Sequence, residues 1–210
     1  MPFTPADYRT SVIPTFCPGC PNYLVLGGLI QTLSKLAIPT HQLVVSYDIG
    51  CAGNMADFVK SYGSHTLHGR SLPFAMGVKI HQPDLTVVVV GGDGGLYGEG
   101  LNHLVAAARM NIDLTVLVSN NYLYSLTTGQ TSPTTPKGSK TKSTPLGTPN
   151  VPLDAVNLVK SINPDVFACR VDVKNVVELN QKLVEAIKFK GFALLETTQF
   201  CVAFGKQLQP

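Results

Sequence analysis

Apolar positions along this chain follow two rhythms. Short runs rich in β-branched and apolar residues recur at 43–47, 85–90, 114–118, 167–171 and 192–197, the length and composition of strands buried on both faces. Between them, 23–36, 70–80, 98–110, 153–161 and 173–188 carry helical patterns. Within 98–110, Leu101, Leu104, Val105 and Ala108 share a stripe; within 173–188, Val176, Val177, Leu179, Leu183, Val184 and Ile187 do, as an amphipathic helix requires. Strand and helix alternate, which predicts an α/β fold: a doubly wound, mainly parallel sheet with helices on both faces. Residues 57–64 read as a loop or short helix. The proline-punctuated 1–15 reads as a surface arm, continuing to about 22. Residues 125–150, rich in Thr, Ser, Pro, Gly and Lys, read by composition as a flexible loop and by length as a lid or partner-contacting segment. A single domain over 1–210 is expected.

The unit at 85–124 organises the rest. Its first strand stops at Gly91-Gly92-Asp93-Gly94-Gly95, read as a tight turn. A helix follows, then a second strand ending on Ser119-Asn120-Asn121. Adjacent strands lie about 4.8 Å apart, so Asp93 and Asn121 leave the carboxyl edge of the sheet together, where open α/β folds bind ligands. A carboxylate and an amide oxygen are hard donors suited to Mg²⁺ or Ca²⁺. Two such ligands leave room for phosphate oxygens. Glycine N–H groups and the start of the next helix favour an anion. These residues point to a Mg²⁺–diphosphate site; the bland alternative is two unrelated turns. Neither G-x-G-x-x-G nor a P-loop pattern is present here.

With 44% hydrophobic and 14% charged residues in 210, a substantial core is expected. A net charge of +3 without a Lys/Arg cluster argues against nucleic acid. No apolar run reaches membrane-span length, and the N-terminus has no secretory pattern, so a cytoplasmic protein is expected. Five cysteines in such a setting point to metal or redox chemistry rather than disulfides. Cys17 and Cys20 form a Cys-x-x-Cys pair, and Cys51 and Cys201 follow strand ends on the ligand edge. Four converging thiolates suit zinc or an iron–sulfur cluster, and scattered core cysteines are the third reading. Cys169, inside a strand, reads as packing. Lys137, Lys140 and Lys142 are phosphate-contact candidates that more simply form a solvated face. His41, His81 and His103 read as surface residues.

Gly92-Asp93-Gly94 followed by Asn120-Asn121 resembles the thiamine diphosphate signature. With His65-Thr-Leu-His68-Gly-Arg70 upstream and Thr128-Gly-Gln-Thr-Ser-Pro-Thr-Thr135 downstream, nearly the whole chain resembles the β subunits of 2-oxoacid:ferredoxin oxidoreductases. That resemblance implies the diphosphate half of a thiamine diphosphate-binding fold. It implies Mg²⁺ on Asp93, Asn121 and the Leu123 carbonyl. Cofactor contacts would come from Ile49, Gly50, Cys51, Ala52, His68, Gly92, Gly94, Gly95, Tyr124, Ser125, Leu126 and Thr127. A [4Fe-4S] cluster is implied on Cys17, Cys20, Cys51 and Cys201. The implied reaction is coenzyme A-dependent oxidative decarboxylation of a 2-oxoacid, such as pyruvate or 2-oxoglutarate, with electrons passed to ferredoxin. The family's activating glutamate comes from a separate domain, so the resemblance implies an obligate α subunit; Glu99 is badly placed for that role.

Departures from the family pattern are Pro21-Asn22 after Cys20, Gly95 after Gly-Asp-Gly, Asn54 near a basic substrate-recognition position, Ser125 after Tyr124, and the stop at Pro210. Two other readings stand beside the leading one. A thiamine-dependent decarboxylase subunit without redox chemistry would share Asp93 and Asn121 but not need four cysteines. A zinc-stabilised interaction module would need only the cysteines.

Overall fold

The computed structural model describes residues 3–208; the first two residues of the expected arm and the chain's stop at Pro210 lie outside them. The strands are β1 (Leu43–Tyr47), β2 (Tyr62–His65), β3 (Thr86–Gly92), β4 (Leu114–Asn120), β5 (Leu123–Tyr124), β6 (Gln130–Thr131), β7 (Phe167–Asp172) and β8 (Phe192–Thr198). Six form one sheet in the order β2-β1-β3-β4-β8-β7, while β5 and β6 pair as a small antiparallel ribbon. Every neighbour in the large sheet is parallel. The helices are α1 (Asn22–Lys35), α2 (Ser71–His81), α3 (Leu101–Met110), α4 (Ala155–Ile162) and α5 (Val176–Lys188).

Strand pleating divides the valine run between two cores. Val88 and Val90 join Leu117 and Leu195 against Leu29 and Leu33 of α1 and Leu179 and Leu183 of α5. Val87 and Val89 join Val116, Val118 and Leu194 against Leu72, Leu104 and Val159 of α2, α3 and α4. Both faces of the central strands are therefore covered, which is why they read as unbroken apolar runs.

Five expectations need correction. Residues 62–65 form a strand rather than loop or helix. Tyr62, Gly63 and His65 are exposed, because an edge strand pairs through its backbone and needs no apolar face. The glycine run is not a turn: β3 continues through Gly92, Asp93 is already helical, and a π-helical turn over Gly94–Glu99 leads into α3. The arm is anchored, with Tyr8 fully buried and its hydroxyl donating to the Ile38 carbonyl at 2.6 Å. Helix α5 starts at Val176 rather than residue 173, because the Asn175 side chain caps it by accepting from the Glu178 N–H at 3.3 Å. Residues 125–150 are packed rather than loose. Ser132, Thr134, Thr135, Ser139, Thr141 and Thr148 are all buried, and the Thr131 hydroxyl lies 2.7 Å from those of both Thr141 and Thr144.

From β1 the chain moves outward to β2; from β3 it moves the other way to β4. The carboxyl ends of β1 and β3 thus border the crevice where strand order reverses, the place such sheets leave open for a ligand.

Candidate cofactor site

Asp93 and Asn121 emerge side by side. The β3–β4 register pairs Gly92 with Ser119, so each chain continues one step past its strand at the same edge. Asp93 is 1% exposed. Its Oδ1 accepts the Asn121 N–H at 3.3 Å, and its Oδ2 lies 2.7 Å from the Thr134 hydroxyl, which is also 2.9 Å from Asn120 Oδ1. Burial pushes the Asp93 carboxyl up to about 6, against the lowering effect of Ser132, Thr134 and the Asn121 N–H. Among the described residues no Lys, Arg or His forms an ion pair with Asp93. Asn121 Oδ1 accepts from the Leu123 N–H at 3.1 Å and the Ser125 hydroxyl at 3.0 Å. A metal at this oxygen would displace the mobile hydroxyl before the backbone donor.

The glycines set the approach. A Cβ on Gly94 would stand 2.4 Å from the Tyr124 ring, and one on Gly95 2.0 Å from Asp48 Oδ1. Gly50, at φ +120, borders open space, a backbone shape that favours glycine. Behind them Asp48, fully buried, ties the turn after β1 to the start of α2. Its Oδ1 accepts from the Ile49 and Gly69 N–H groups at 2.9 and 3.1 Å, and its Oδ2 accepts the Ser71 hydroxyl at 2.6 Å. His68 Nδ1 lies 3.7 Å from Asp48 and 3.8 Å from Glu99, buried but without a hydrogen bond.

All these elements ring one cavity. The turn after β1 contributes Ile49, Gly50, Cys51 and Ala52. The β3 end contributes Gly92, Asp93, Gly94 and Gly95, and the segment after β4 contributes Asn121 and residues 123–127; His68 closes the ring. Asn22 and Ser119 also line it. Sequence patterns did not single these out: Asn22 begins a helix and Ser119 ends a strand, and only the third dimension brings them here. Asp48 and Thr134 were passed over likewise. Lys137, Lys140 and Lys142 are exposed and do not line the cavity. Lys142 donates to the Thr128 hydroxyl at 2.9 Å.

A second cavity adjoins it, lined by Cys17, Cys20, Cys51 and Cys201 together with Phe16, Phe200 and Phe204. Cys51, Asn22, Asn121, Ser125 and Leu126 belong to both cavities. A Cys17-Pro18-Gly19-Cys20 turn, closed by the Cys20 N–H on the Cys17 carbonyl at 2.9 Å with Gly19 at φ +77, presents the first two thiols. Burial pushes the Cys51 thiol up to about 11, with Cys20, Cys201 and Cys17 each adding to the rise; the four sulfurs are electrostatic neighbours. All are free thiols, Cys17 exposed and the others half-buried. Among the described residues no three His, Cys, Asp or Glu are gathered as one metal ion needs. Cys169 lies apart, partly buried against the α1/α5 core.

The model of the thiamine pyrophosphate enzyme C-terminal TPP-binding domain matches residues 41–197. Subunit beta of 2-oxoacid:ferredoxin oxidoreductase 1 from Aeropyrum pernix is 41% identical over 201 residues, covering 95% of this chain and 62% of the relative. The 2-oxoglutarate synthase subunit KorB of Archaeoglobus fulgidus is 39% identical over 198 residues, covering 93% and 73%. The chain belongs to the β subunits of the 2-oxoacid:ferredoxin oxidoreductases. The solved 2-oxoglutarate:ferredoxin oxidoreductase of Magnetococcus marinus, with 2-oxoglutarate, coenzyme A and succinyl-CoA bound, superposes on this β-subunit chain with a TM-score of 0.92. It shares 32% identity, over 96% of this chain and 69% of that one. Benzoylformate decarboxylase of Polynucleobacter necessarius, at TM-score 0.60 and 19% identity, shares the fold. The β-subunit chain spans 62% of the length of the Aeropyrum relative. No helix among the described residues is long and apolar enough to cross a membrane.

Proposed function

We propose that this chain is the cofactor-holding subunit of an enzyme that oxidatively decarboxylates a 2-oxoacid, transfers the acyl group to coenzyme A and passes electrons to ferredoxin. The observation that carries this is the shared wall: a cavity built around Asp93 and Asn121 meets a cavity lined by four cysteines, with Cys51 in both.

The donor set fits Mg²⁺–thiamine diphosphate. A buried carboxylate without a cationic partner, an adjacent amide oxygen and the Leu123 carbonyl supply hard oxygen ligands. A divalent ion there offsets the cost of burying the Asp93 charge. Gly94 and Gly95 line the cavity at the start of the helical segment, where backbone N–H groups favour a diphosphate. His68, between Asp48 and Glu99, is a pocket contact that orients the same group. Ile49, Gly50 and Ala52 shape the wall, and Tyr124, with Ser125, Leu126 and Thr127, excludes water from it. Thiamine diphosphate, when bound, supplies the carbanion-stabilising chemistry; the protein supplies binding, orientation and electrostatics.

Cys17, Cys20, Cys51 and Cys201 hold a [4Fe-4S] cluster in this reading. Zinc at ~2.3 Å from each sulfur would need four closely gathered thiolates. The four thiols line one cavity, and among the described residues no three His, Cys, Asp or Glu are gathered as a single ion needs, which supports a cluster over zinc. Free cysteines and such a cluster support a reducing, cytoplasmic setting.

An α subunit is an obligate partner. Glu99 is engaged by the Tyr124 hydroxyl at 3.2 Å and lies 3.8 Å from His68, so it is not placed to activate an aminopyrimidine ring. The test is anaerobic purification with and without the α subunit. The complex is expected to be brown, with iron, acid-labile sulfide, Mg²⁺ and thiamine diphosphate, and to reduce ferredoxin with a 2-oxoacid and coenzyme A. The isolated chain is expected to bind cofactor weakly and turn over nothing. Colourless, active protein would favour a decarboxylase without redox chemistry, and stoichiometric zinc an interaction module; either overturns this reading.

A further inference from the structure

Two amides from opposite ends of the chain meet beside the cysteine cavity. Asn22 is polar yet 1% exposed, and it lines both cavities. It opens α1, two residues after Cys20. Its side-chain Oδ1 accepts from Gln199 Nε2 at 3.0 Å. Gln199 is 7% exposed and lines the cysteine cavity. Its backbone N–H is fixed on the Asn120 carbonyl at 2.9 Å, extending the β4–β8 ladder to the neighbour of Asn121. Its Oε1 is buried without a partner.

We propose that Asn22 donates a hydrogen bond to the cluster, that Gln199 orients it to do so, and that together they raise the cluster's reduction potential. The inference rests on the cluster ligation proposed above. Gln199 occupies the Asn22 oxygen, which leaves the NH2 group as the donor offered to the lined space. Reduction adds negative charge to a cluster that carries four thiolates. The cavity wall includes Phe16, Phe200, Val202 and Phe204 and, among the described residues, no Lys, Arg or His. With no cationic side chain at hand, amide and backbone donors must stabilise that charge, and hydrogen bonds to sulfur are a principal control of cluster potential. The positive end of α1 at Cys20 acts in the same direction. Asn22 is a potential-setting residue and Gln199 a positioning one.

The test uses the assembled, anaerobically purified enzyme. Iron and sulfide are assayed first, then the midpoint potential is read by a reductive titration followed by electron paramagnetic resonance. Asn22→Leu is expected to keep its iron and to disfavour reduction about tenfold, a potential ~59 mV lower for one electron. Gln199→Met is expected to give a smaller shift of the same sign, and the double variant no more than Asn22→Leu alone, because the two act in series. Unchanged potentials with full iron in both variants would overturn the inference. So would an unchanged potential with weakened thiamine diphosphate binding, which would assign the Asn22 donor to the cofactor instead. Should Asn22→Leu lose iron, Gln199→Met decides by the same criterion. Absence of iron and sulfide in the unaltered enzyme would reject the cluster itself, a separate failure.

Discussion

The two adjoining cavities are built in opposite ways. The one around Asp93 is made from strand ends whose register is locked by the sheet, and its donors are already in place: Asp93, Asn121, Ser125 and Thr134 are all buried and hydrogen-bonded to one another or to backbone. The cysteine cavity is made from a turn near one end of the chain, a residue after β1 and a residue after β8. Its thiols are free, and one is exposed. The first set of donors is held by the protein's own hydrogen bonds; the second is a set of free thiols, and the metal binding proposed there would be coupled to local folding.

That contrast can be broken in several ways. The largest effect is expected from Asp93→Ala, which should cut Mg²⁺-dependent thiamine diphosphate affinity by more than the 10–100-fold that loss of a supporting partner costs. Calorimetry on the assembled complex measures it, and unchanged affinity rejects the metal assignment. Cys201→Ser should lower iron content while leaving cofactor affinity intact; a parallel fall in both would show that the two sites are not separately organised. Gly95→Ala forces a Cβ to within 2.0 Å of Asp48 Oδ1 and should destabilise the chain by about 1–3 kcal/mol, read from the denaturant midpoint.

A smaller, pH-dependent effect sharpens the comparison. The folded Asp93 carboxyl sits at about 6, above its unfolded value of 3.8, so the native state holds its proton where the unfolded chain has lost it. In metal-free protein this contribution is complete below pH ~4 and is lost as pH rises through ~6, roughly 3 kcal/mol in all. Thermal melts from pH 4 to 8 should show the decline, and Asp93→Asn should flatten it. The smallest effect should come from Gly27→Ala, on α1 facing open space, which is expected to stabilise by about 0.5–1 kcal/mol. A loss of stability there would mean that α1 is packed differently.

The same contrast explains what could be read from the chain. Buried parallel strands announce themselves as valine-rich runs, and their ends announce the ligand edge, so the meeting of Asp93 and Asn121 was legible; the segments at 49–52 and 123–127 came only from the family resemblance. Strand β2 was not: Tyr62, Gly63, Ser64 and His65 carry no apolar run, and pairing with β1 alone makes them a strand. The glycine run at 91–95 reads as a turn because flexible residues usually break elements; here Gly91 is needed to let Leu96 and Asp48 approach the strand end. Residues 125–150 looked loose because their hydroxyls are polar, but hydroxyls that bond each other can be buried. Asn22, Asp48, Ser119 and Thr134 had no periodic or spacing signal, since their roles arise from contacts between distant segments.

The Thr134 hydroxyl, set between Asp93 and Asn120, carries a mechanical consequence. It is the point where the long segment after β4 grips the rim of the sheet. The grip is short in reach, so moving residues 132–135 by an ångström or two breaks it and leaves the aspartate with one fewer donor. A neighbouring subunit pressing on this segment's outer surface would therefore be felt at the carboxylate without touching it.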